Sequence, residues 1–256
     1  MRERYFTVGP GAEASGDSHG FRVGSETCAR LLPGPGRLSS LAASGDPAGL
    51  TLVTPLAGPD EVDRVLEAIS QARSEGWGEV VVNDWGILRE VSARPGADIT
   101  AGRLLLRLRR GPGSLDDWDG LDGASRRYFA WGPLYDRPFL DFLGRQGVAR
   151  LELDPPRHWL PVPSPDGFRL SMHCDTRLIS VLASCPWLPE DSEGQGAEPR
   201  NCEKPCTEGG PLAMRAAALE HPLRLCGRAI LERVRLPVGE EDLPDRVDRL
   251  IYDPFP

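Results

Sequence analysis

A strand, a helix and a second strand, following one another without interruption, constrain the fold of this chain most. The segments LTLVTPL at residues 50–56 and EVVVND at 79–84 are short, β-branched runs that end in turn-forming or polar residues, as buried parallel strands do. Between them, apolar residues at 62, 65, 66 and 69 have the spacing of an amphipathic helix. This βαβ unit predicts an α/β fold.

Similar patterns recur along the chain. The pattern predicts another strand at residues 98–106. It then predicts a helix at 138–147, PFLDFLGRQG, which leads into the strand VARLELD, and a further strand in FRLSMH. The succession predicts a (βα) barrel of the TIM type, in which chemistry is placed on residues at the carboxyl ends of the strands. In this sequence those positions hold Thr54, Asn83, Asp84, Arg103, Asp154 and His173.

Each polar strand end also has a plainer interpretation. Asp84, after Asn83, could face the barrel mouth or could cap the helix WGILREV. His173 could face the mouth or be a hydrogen-bonded structural residue. Arg103 and Arg177 have the planar fork that binds an anionic substrate carboxylate, although arginine is common throughout this chain.

Charge and hydropathy restrict the class of protein. The 256 residues carry a net charge of -8 with a pI near 5.1, which disfavours binding of nucleic acid. No apolar run is long enough for a membrane span, and the first residues lack the order of a signal peptide. We therefore expect a cytoplasmic protein.

Three segments rich in glycine, serine, alanine, proline or acidic residues predict loops. They are residues 9–20, 33–49 and 189–201. The last is acidic and lies among the cysteines, where we expect a mobile loop.

The six cysteines point to metal chemistry, because a chain without an export signal stays where thiols are kept reduced. Cys202 and Cys206 form a C-x3-C pair in RNCEKPC, and a zinc or iron-sulfur site would need about two more ligands. Cys185, before a proline, and Cys28, after the apolar FRVG, have suitable settings. Spacing alone does not choose the ligands, and ordinary buried thiols explain a lone C-x3-C pair equally well.

Several of these segments also carry a family resemblance. VGSETCARL, TLVTPL, EVVVNDWGIL, AGRLLLRLRRGPG, GVARLELD, RLSMHCDTRLISVLASCPW and NCEKPC occur in the order seen in the collagenase-like peptidase family U thirty-two. The similarity runs from about residue 21 to 252 and is greatest to the iron-sulfur branch related to UbiU and UbiV. It implies a single barrel domain over residues 1–256, with an inserted cysteine-bearing loop region at about 185–210. Because the N-terminal region is shortened relative to this family, an incomplete barrel is an alternative.

The resemblance also implies a cofactor and a role. In that branch a 4Fe-4S cluster is held by one early and three later cysteines, which correspond here to Cys28, Cys185, Cys202 and Cys206. The implied role is an oxygen-independent hydroxylation or related redox step, of the kind found in ubiquinone biosynthesis or RNA modification, with a small-molecule substrate.

Two rival interpretations remain beside this one. The first is a non-catalytic partner that pairs with a paralogous iron-sulfur subunit, with zinc as the second choice of metal. The second is a peptidase, for which the sequence lacks a nucleophile-base or HExxH constellation. The remaining cysteines, Cys174 and Cys226, are expected not to bind the metal.

Overall fold

Eight parallel strands form a closed barrel in the computed structural model of this protein. The structure describes residues 2–8, 18–94, 96–106, 118–187, 202–208, 211–215 and 222–253. The barrel strands are β1 (Glu3–Val8), β2 (Gly20–Gly24), β3 (Leu50–Val53), β4 (Glu79–Val82), β5 (Asp98–Ala101), β6 (Val148–Leu153), β7 (Arg169–His173) and β12 (Val247–Tyr252). Their order around the barrel follows the chain, and β12 closes the barrel against β1. The barrel prediction is confirmed, and the alternative of an incomplete barrel is wrong.

The helices lie in the connections between barrel strands. They are α1 (Pro35–Ala43), α2 (Val62–Ser74), α3 (Trp85–Ser92), α4 (Gly123–Trp131) and α5 (Arg137–Arg145). Apolar side chains on alternate strand positions, such as Leu52, Val80 and Leu151, pack with the apolar faces of these helices in one continuous core. The hydrophobic core therefore lies between the strands and the helices.

The barrel interior is largely polar. Strand positions that alternate with the apolar core positions carry buried Thr51, Glu79, Arg150, Glu152 and Arg249, each less than 9% exposed. Because both faces of a barrel strand are buried, charged residues at alternate positions point into the interior, where they must be paired.

One set of these interior groups lies at the amino ends of the strands, and we call it the lower network. Its members are Glu3, Thr51, Glu79, Thr100, Arg150, Ser171, Asp248 and Arg249. Glu79 connects three other members of the lower network, because it accepts hydrogen bonds from Thr51, Thr100 and Arg249. Arg249 also lies over the Tyr5 ring, 3.8 Å from its centroid. The lower network therefore ties separate strands together at one end of the barrel.

A second, antiparallel sheet lies between β7 and β12 in the chain. Its strands are β8 (Thr176–Val181), β9 (Leu212–Met214), β10 (Leu223–Cys226) and β11 (Ala229–Arg233), in the order β8-β11-β10-β9. A one-turn helix, α6 (Pro205–Glu208), lies between β8 and β9 in the chain and contains Cys206. Three of the predicted cysteine ligands thus belong to this insertion; the division of the chain into domains stays a prediction.

One loop prediction was wrong. Residues 33–49 were expected to form a loop because of their glycine, serine and proline, yet residues 35–43 form α1. Pro35 occupies the first turn, where its missing N–H costs nothing, and Leu38 and Leu41 are buried one turn apart. Burial of this apolar pair outweighed the unfavourable composition. The other two loop predictions, at 9–20 and 189–201, fall mostly or wholly outside the described residues.

Within the described part of the chain, no helix combines the length and the apolar character needed to cross a bilayer.

Candidate functional site

Ionisable side chains from five segments of the chain, with threonines from two more, meet at the carboxyl ends of the barrel strands. We call this group the upper network. Its members are Thr7, Arg22, Glu26, Arg103, Glu152, Asp154, His173, Thr176 and Asp253. Three residues predicted at strand ends, Arg103, Asp154 and His173, are therefore brought together.

Arg22 and Glu152 form the most deeply buried ion pair of the upper network. Arg22 Nη2 donates to Glu152 Oε2 at 2.8 Å, and each side chain is 1% exposed. Burial alone would raise the pKa of Glu152, but Arg22 and then His173 outweigh it and lower this pKa to about 2. Glu152 is therefore an anion at neutral pH. Its second oxygen, Oε1, has no hydrogen-bond partner among the described residues.

Arg103 is bound by the protein's own carboxylates. Its guanidinium donates to Glu26 Oε2 at 2.6 Å and to Asp154 Oδ1 at 2.8 Å, and also to Thr176 Oγ1. Although burial opposes the charge, these carboxylates raise the pKa of Arg103 well above its usual value. Of the two interpretations left open for Arg103, the contacts in this structure are with acidic groups of the chain itself.

His173 is fully buried and is held by Asp253. Its Nδ1 lies 3.0 Å from Asp253 Oδ2, an oxygen that also accepts a hydrogen bond from Thr176. Burial and the positive charge of Arg103 lower the pKa of His173. Asp253 and Glu152 raise this pKa by a larger amount, so the net change is upward. Burial raises the pKa of Asp253, but interactions with His173 and Arg103 outweigh burial and lower this pKa well below its ordinary value.

The second ring nitrogen of His173 faces two carboxylates. Nε2 lies 3.7 Å from Glu152 Oε2 and 4.0 Å from Glu26 Oε1, too far for hydrogen bonds. Ligand atoms of these three residues all lie within 4.8 Å of one another. Among the described residues, one group of three histidine, cysteine or acidic side chains is spaced closely enough to hold a metal ion, and it is this group.

The four predicted cysteine ligands come from the loop after β2 and from the region between β8 and β9. Burial raises the pKa of the Cys206 thiol to about 11, and the nearby thiols of Cys28, Cys185 and Cys202 contribute further. The charges that influence Cys28 include Cys185. No three of these thiols lie within 4.8 Å of one another among the described residues. In a tetrahedral zinc site, sulfurs about 2.3 Å from the metal lie about 3.8 Å apart, so the four thiols are spaced more widely than ligands of one zinc ion.

The loop after β2 carries both Glu26 and Cys28. Gly24 ends the strand with a φ of 125°, and a Cβ at this position would lie 2.2 Å from the Val53 carbonyl oxygen, so only glycine fits. Ser25 Oγ then accepts hydrogen bonds from the backbone of Thr27 and of Cys28, each at 3.2 Å. This turn places a carboxylate of the upper network two residues from a predicted thiolate ligand.

The segment that contains Cys185 is held by the turn between β10 and β11. Trp187 Nε1 donates to Gly227 O at 3.1 Å, and the Arg228 guanidinium donates to the carbonyls of Leu182 and Ala183. A Cβ on Gly227 would lie 3.7 Å from Leu31, which is three residues beyond Cys28. The turn thus lies next to both cysteine segments.

The C-x3-C pair lies on a tight turn. Lys204 N donates to Cys202 Sγ at 3.4 Å, and Lys204 O accepts from both the backbone and the hydroxyl of Thr207. Backbone N–H groups that point at cysteine sulfur are a common feature of iron-sulfur sites. The remaining cysteines have other surroundings: Cys174 Sγ donates to Met172 O, and Cys226 is the last residue of β10.

The other predicted strand-end residues have structural roles. Asn83 Nδ2 donates to Thr54 O at 3.0 Å, while Asn83 Oδ1 accepts from Leu104 N. Asp84 Oδ1 accepts from Ile87 N at 3.0 Å and is the N-cap of α3. Arg177 donates to the carbonyls of residues 155 and 156 and pairs with a glutamate on β11.

Sequence reasoning missed several members of the upper network. They are Thr7, Arg22, Glu26, Glu152, Thr176 and Asp253. A signal for two of them was present, because FRVG and VARLELD carry charged residues at single alternate positions of otherwise apolar strands. In a parallel barrel, such residues point into the interior.

The fold and site define an eight-stranded parallel barrel protein with a buried ion-pair network at the carboxyl ends of its strands. No protein-family model matches the sequence, and no curated protein matches it. A solved structure described as that of the U32 peptidase Mk0906 is similar, with a TM-score of 0.45 and 14% identity, over 99% of this chain and 93% of that chain. Similarity at this level says nothing about what the chain binds or catalyses, and the relationship to an iron-sulfur branch stays a prediction.

Proposed function

We propose that this protein binds a 4Fe-4S cluster through Cys28, Cys185, Cys202 and Cys206, and acts in or supports an oxygen-independent hydroxylation or a related redox step. The proposal rests on the sequence resemblance that selects these four cysteines, and its support in the structure is that the other three thiols are among the charges that raise the pKa of Cys206. Four thiolates are a soft ligand set that suits iron-sulfur clusters or zinc.

The surroundings of the thiols support a cofactor at this position. Burial raises the pKa of Cys28 and of Cys206, so the free thiols hold their protons at neutral pH, and metal binding would release them. The backbone N–H groups at Arg30 and Leu31 act in the opposite direction on Cys28 and favour its thiolate. The preference for a cluster over a single zinc ion comes from the resemblance, and zinc stays the second choice of metal.

A bound cluster would supply one-electron transfer beside the barrel mouth. Residues of this chain would orient the ligands: Ser25 binds the backbone of Cys28, and the Lys204 N–H binds the Cys202 sulfur. Glu26 links the loop that carries Cys28 to the upper network through Arg103.

A second candidate is a non-catalytic subunit that supports a paralogous iron-sulfur partner. The burial of the upper network favours it, because Arg22, Arg103 and His173 are at most 2% exposed and each is bound by groups of this chain. Assaying hydroxylation with the protein alone, and then with a paralogous subunit, distinguishes the two candidates. Turnover by the protein alone would exclude the supporting role.

The first test is the metal content of the protein. We expect protein purified without oxygen to be brown, with an absorbance band near about 400 nm, and to contain iron and sulfide. The Cys28→Ala variant should lose most of both, because the cluster then lacks one of its four ligands.

The chain supplies matched controls for this test. Cys174→Ser and Cys226→Ser remove thiols that lie outside the proposed ligand set and should leave the iron content near that of the wild type. A colourless wild-type protein with stoichiometric zinc would exclude the iron-sulfur proposal. A full cluster in Cys28→Ala would exclude this ligand set.

A further inference from the structure

The structure carries a second group of ligating side chains, separate from the thiols. It consists of Glu26, Glu152 and His173 in the upper network. We propose that these three residues bind one divalent transition-metal cation, such as Mn²⁺ or Fe²⁺, inside the barrel mouth. This site does not depend on the proposed iron-sulfur function.

The orientation of His173 is the first argument. Its Nδ1 lies 3.0 Å from Asp253 Oδ2, so a hydrogen on Nδ1 is donated to this carboxylate, and Nε2 is the nitrogen that would bind a metal in place of a proton. Nε2 is fully buried, faces Glu152 and Glu26, and has no hydrogen-bond partner among the described residues. A carboxylate on one ring nitrogen and a metal on the other is the usual arrangement for a ligating histidine.

The leftover hydrogen-bonding capacity of Glu152 is the second argument. One of its oxygens accepts from Arg22, whereas Oε1 has no partner in the part of the chain that the structure describes. A buried carboxylate oxygen without a partner is costly. A cation held between Glu152 and His173 would supply the missing interaction.

The charge of the upper network is the third argument. Its described members include four carboxylates, on Glu26, Glu152, Asp154 and Asp253, and two guanidiniums, on Arg22 and Arg103. Glu26 and Glu152 both face His173 Nε2, so a cation bound between these side chains would interact directly with two carboxylates.

The ligand types indicate the class of metal. Imidazole nitrogen with two carboxylates suits first-row divalent ions, and Mn²⁺ in particular prefers oxygen and imidazole to thiolate. Mn²⁺ is therefore a probe that the four cysteines should not bind. Three ligands from the chain would leave coordination positions for other molecules.

Equilibrium dialysis of the whole protein against Mn²⁺ tests the proposal, with long equilibration because the site is buried. We expect one Mn²⁺ per chain and pulsed electron paramagnetic resonance that shows nitrogen-14 coupling from His173. His173→Gln should abolish this coupling, and Glu152→Gln should weaken binding by at least about 10-fold, comparable with the loss when a ligand's supporting partner is removed.

Glu232→Gln is the matched control, because Glu232 is also a glutamate paired with a buried arginine, Arg177, but it lies on β11 outside both networks. It should bind Mn²⁺ as the wild type does. Absence of stoichiometric Mn²⁺ in wild-type protein would overturn the proposal, as would bound Mn²⁺ without nitrogen coupling. The wild-type measurement remains decisive if a variant fails to fold.

Discussion

Lys204 has a strained backbone conformation, and this conformation shapes the turn between Cys202 and Cys206. Its φ is 61°, in the left-handed region that side chains other than glycine avoid, at a cost of about 1–2 kcal/mol. This conformation turns the chain between Cys202 and Cys206 and directs the Lys204 N–H at the Cys202 sulfur. The side chain of Lys204 itself is not needed for either contact.

We therefore predict opposite results for two substitutions of Lys204. Lys204→Gly should retain the metal content and the stability of the wild type, because glycine adopts a positive φ readily. Lys204→Val should lose metal, because a β-branched residue strongly disfavours this region. Metal analysis and thermal unfolding of both variants check the prediction, and a valine variant with its full metal content would contradict it.

At the scale of elements, aspartate side chains fix where helices of the barrel begin. The N-caps of α3, α4 and α5 are Asp84, Asp122 and Asp136, and each accepts a hydrogen bond from the backbone N–H three residues later. The cap satisfies N–H groups that have no partner within the helix. Asp84 follows directly from β4 and Asn83, so its cap also fixes the angle at which the chain leaves the barrel.

Asp84→Ala should lower the free energy of unfolding by about 1 kcal/mol, since alanine cannot accept the hydrogen bond from Ile87. Asp84→Ser is the matched control and should recover most of this loss. Urea denaturation of the three proteins measures the difference. If Asp84→Ala reduced metal content or activity without changing stability, the interpretation of Asp84 as a cap would be wrong.

At the scale of the whole molecule, the two ends of the described chain complete both the barrel and its polar interior. β1 pairs with β12 as well as with β2. Thr7, just before the end of β1, donates to Asp253, the residue after β12. The upper network therefore requires that the barrel is closed, and formation of the site is coupled to folding of the whole chain.

The lower network should contribute strongly to stability at this scale. Glu79→Ala would leave the Arg249 cation buried without its main partner, and we predict a loss of roughly 3–5 kcal/mol in the free energy of unfolding. Asp98→Ala, which removes an exposed partner of Arg169, is the control and should cost at most about 1 kcal/mol. Chemical denaturation measures both, and equal effects would contradict a structural role for the lower network.

The amino-acid sequence by itself determined the elements and the class of fold. The sequence predicted the two strands of the βαβ unit and the helix between them, and also the later strands before Asp154 and at His173. These elements were predictable because the spacing of their apolar residues is a local pattern over a few neighbouring positions. The four cysteines were supplied by the resemblance alone, and their role as ligands stays a prediction. The helix at 35–43 was missed, because its burial depends on packing rather than on composition.

Only the tertiary structure decided the contents of the barrel. The partner of Arg22 is 130 residues away along the chain, and that of Arg249 is 170 residues away. No local pattern encodes such pairs, because they arise from strand order and register in a closed sheet. For the same reason, the sequence left the role of Arg103 open. Its guanidinium is charged in any fold, and the geometry of the closed barrel determines that it meets Glu26 and Asp154.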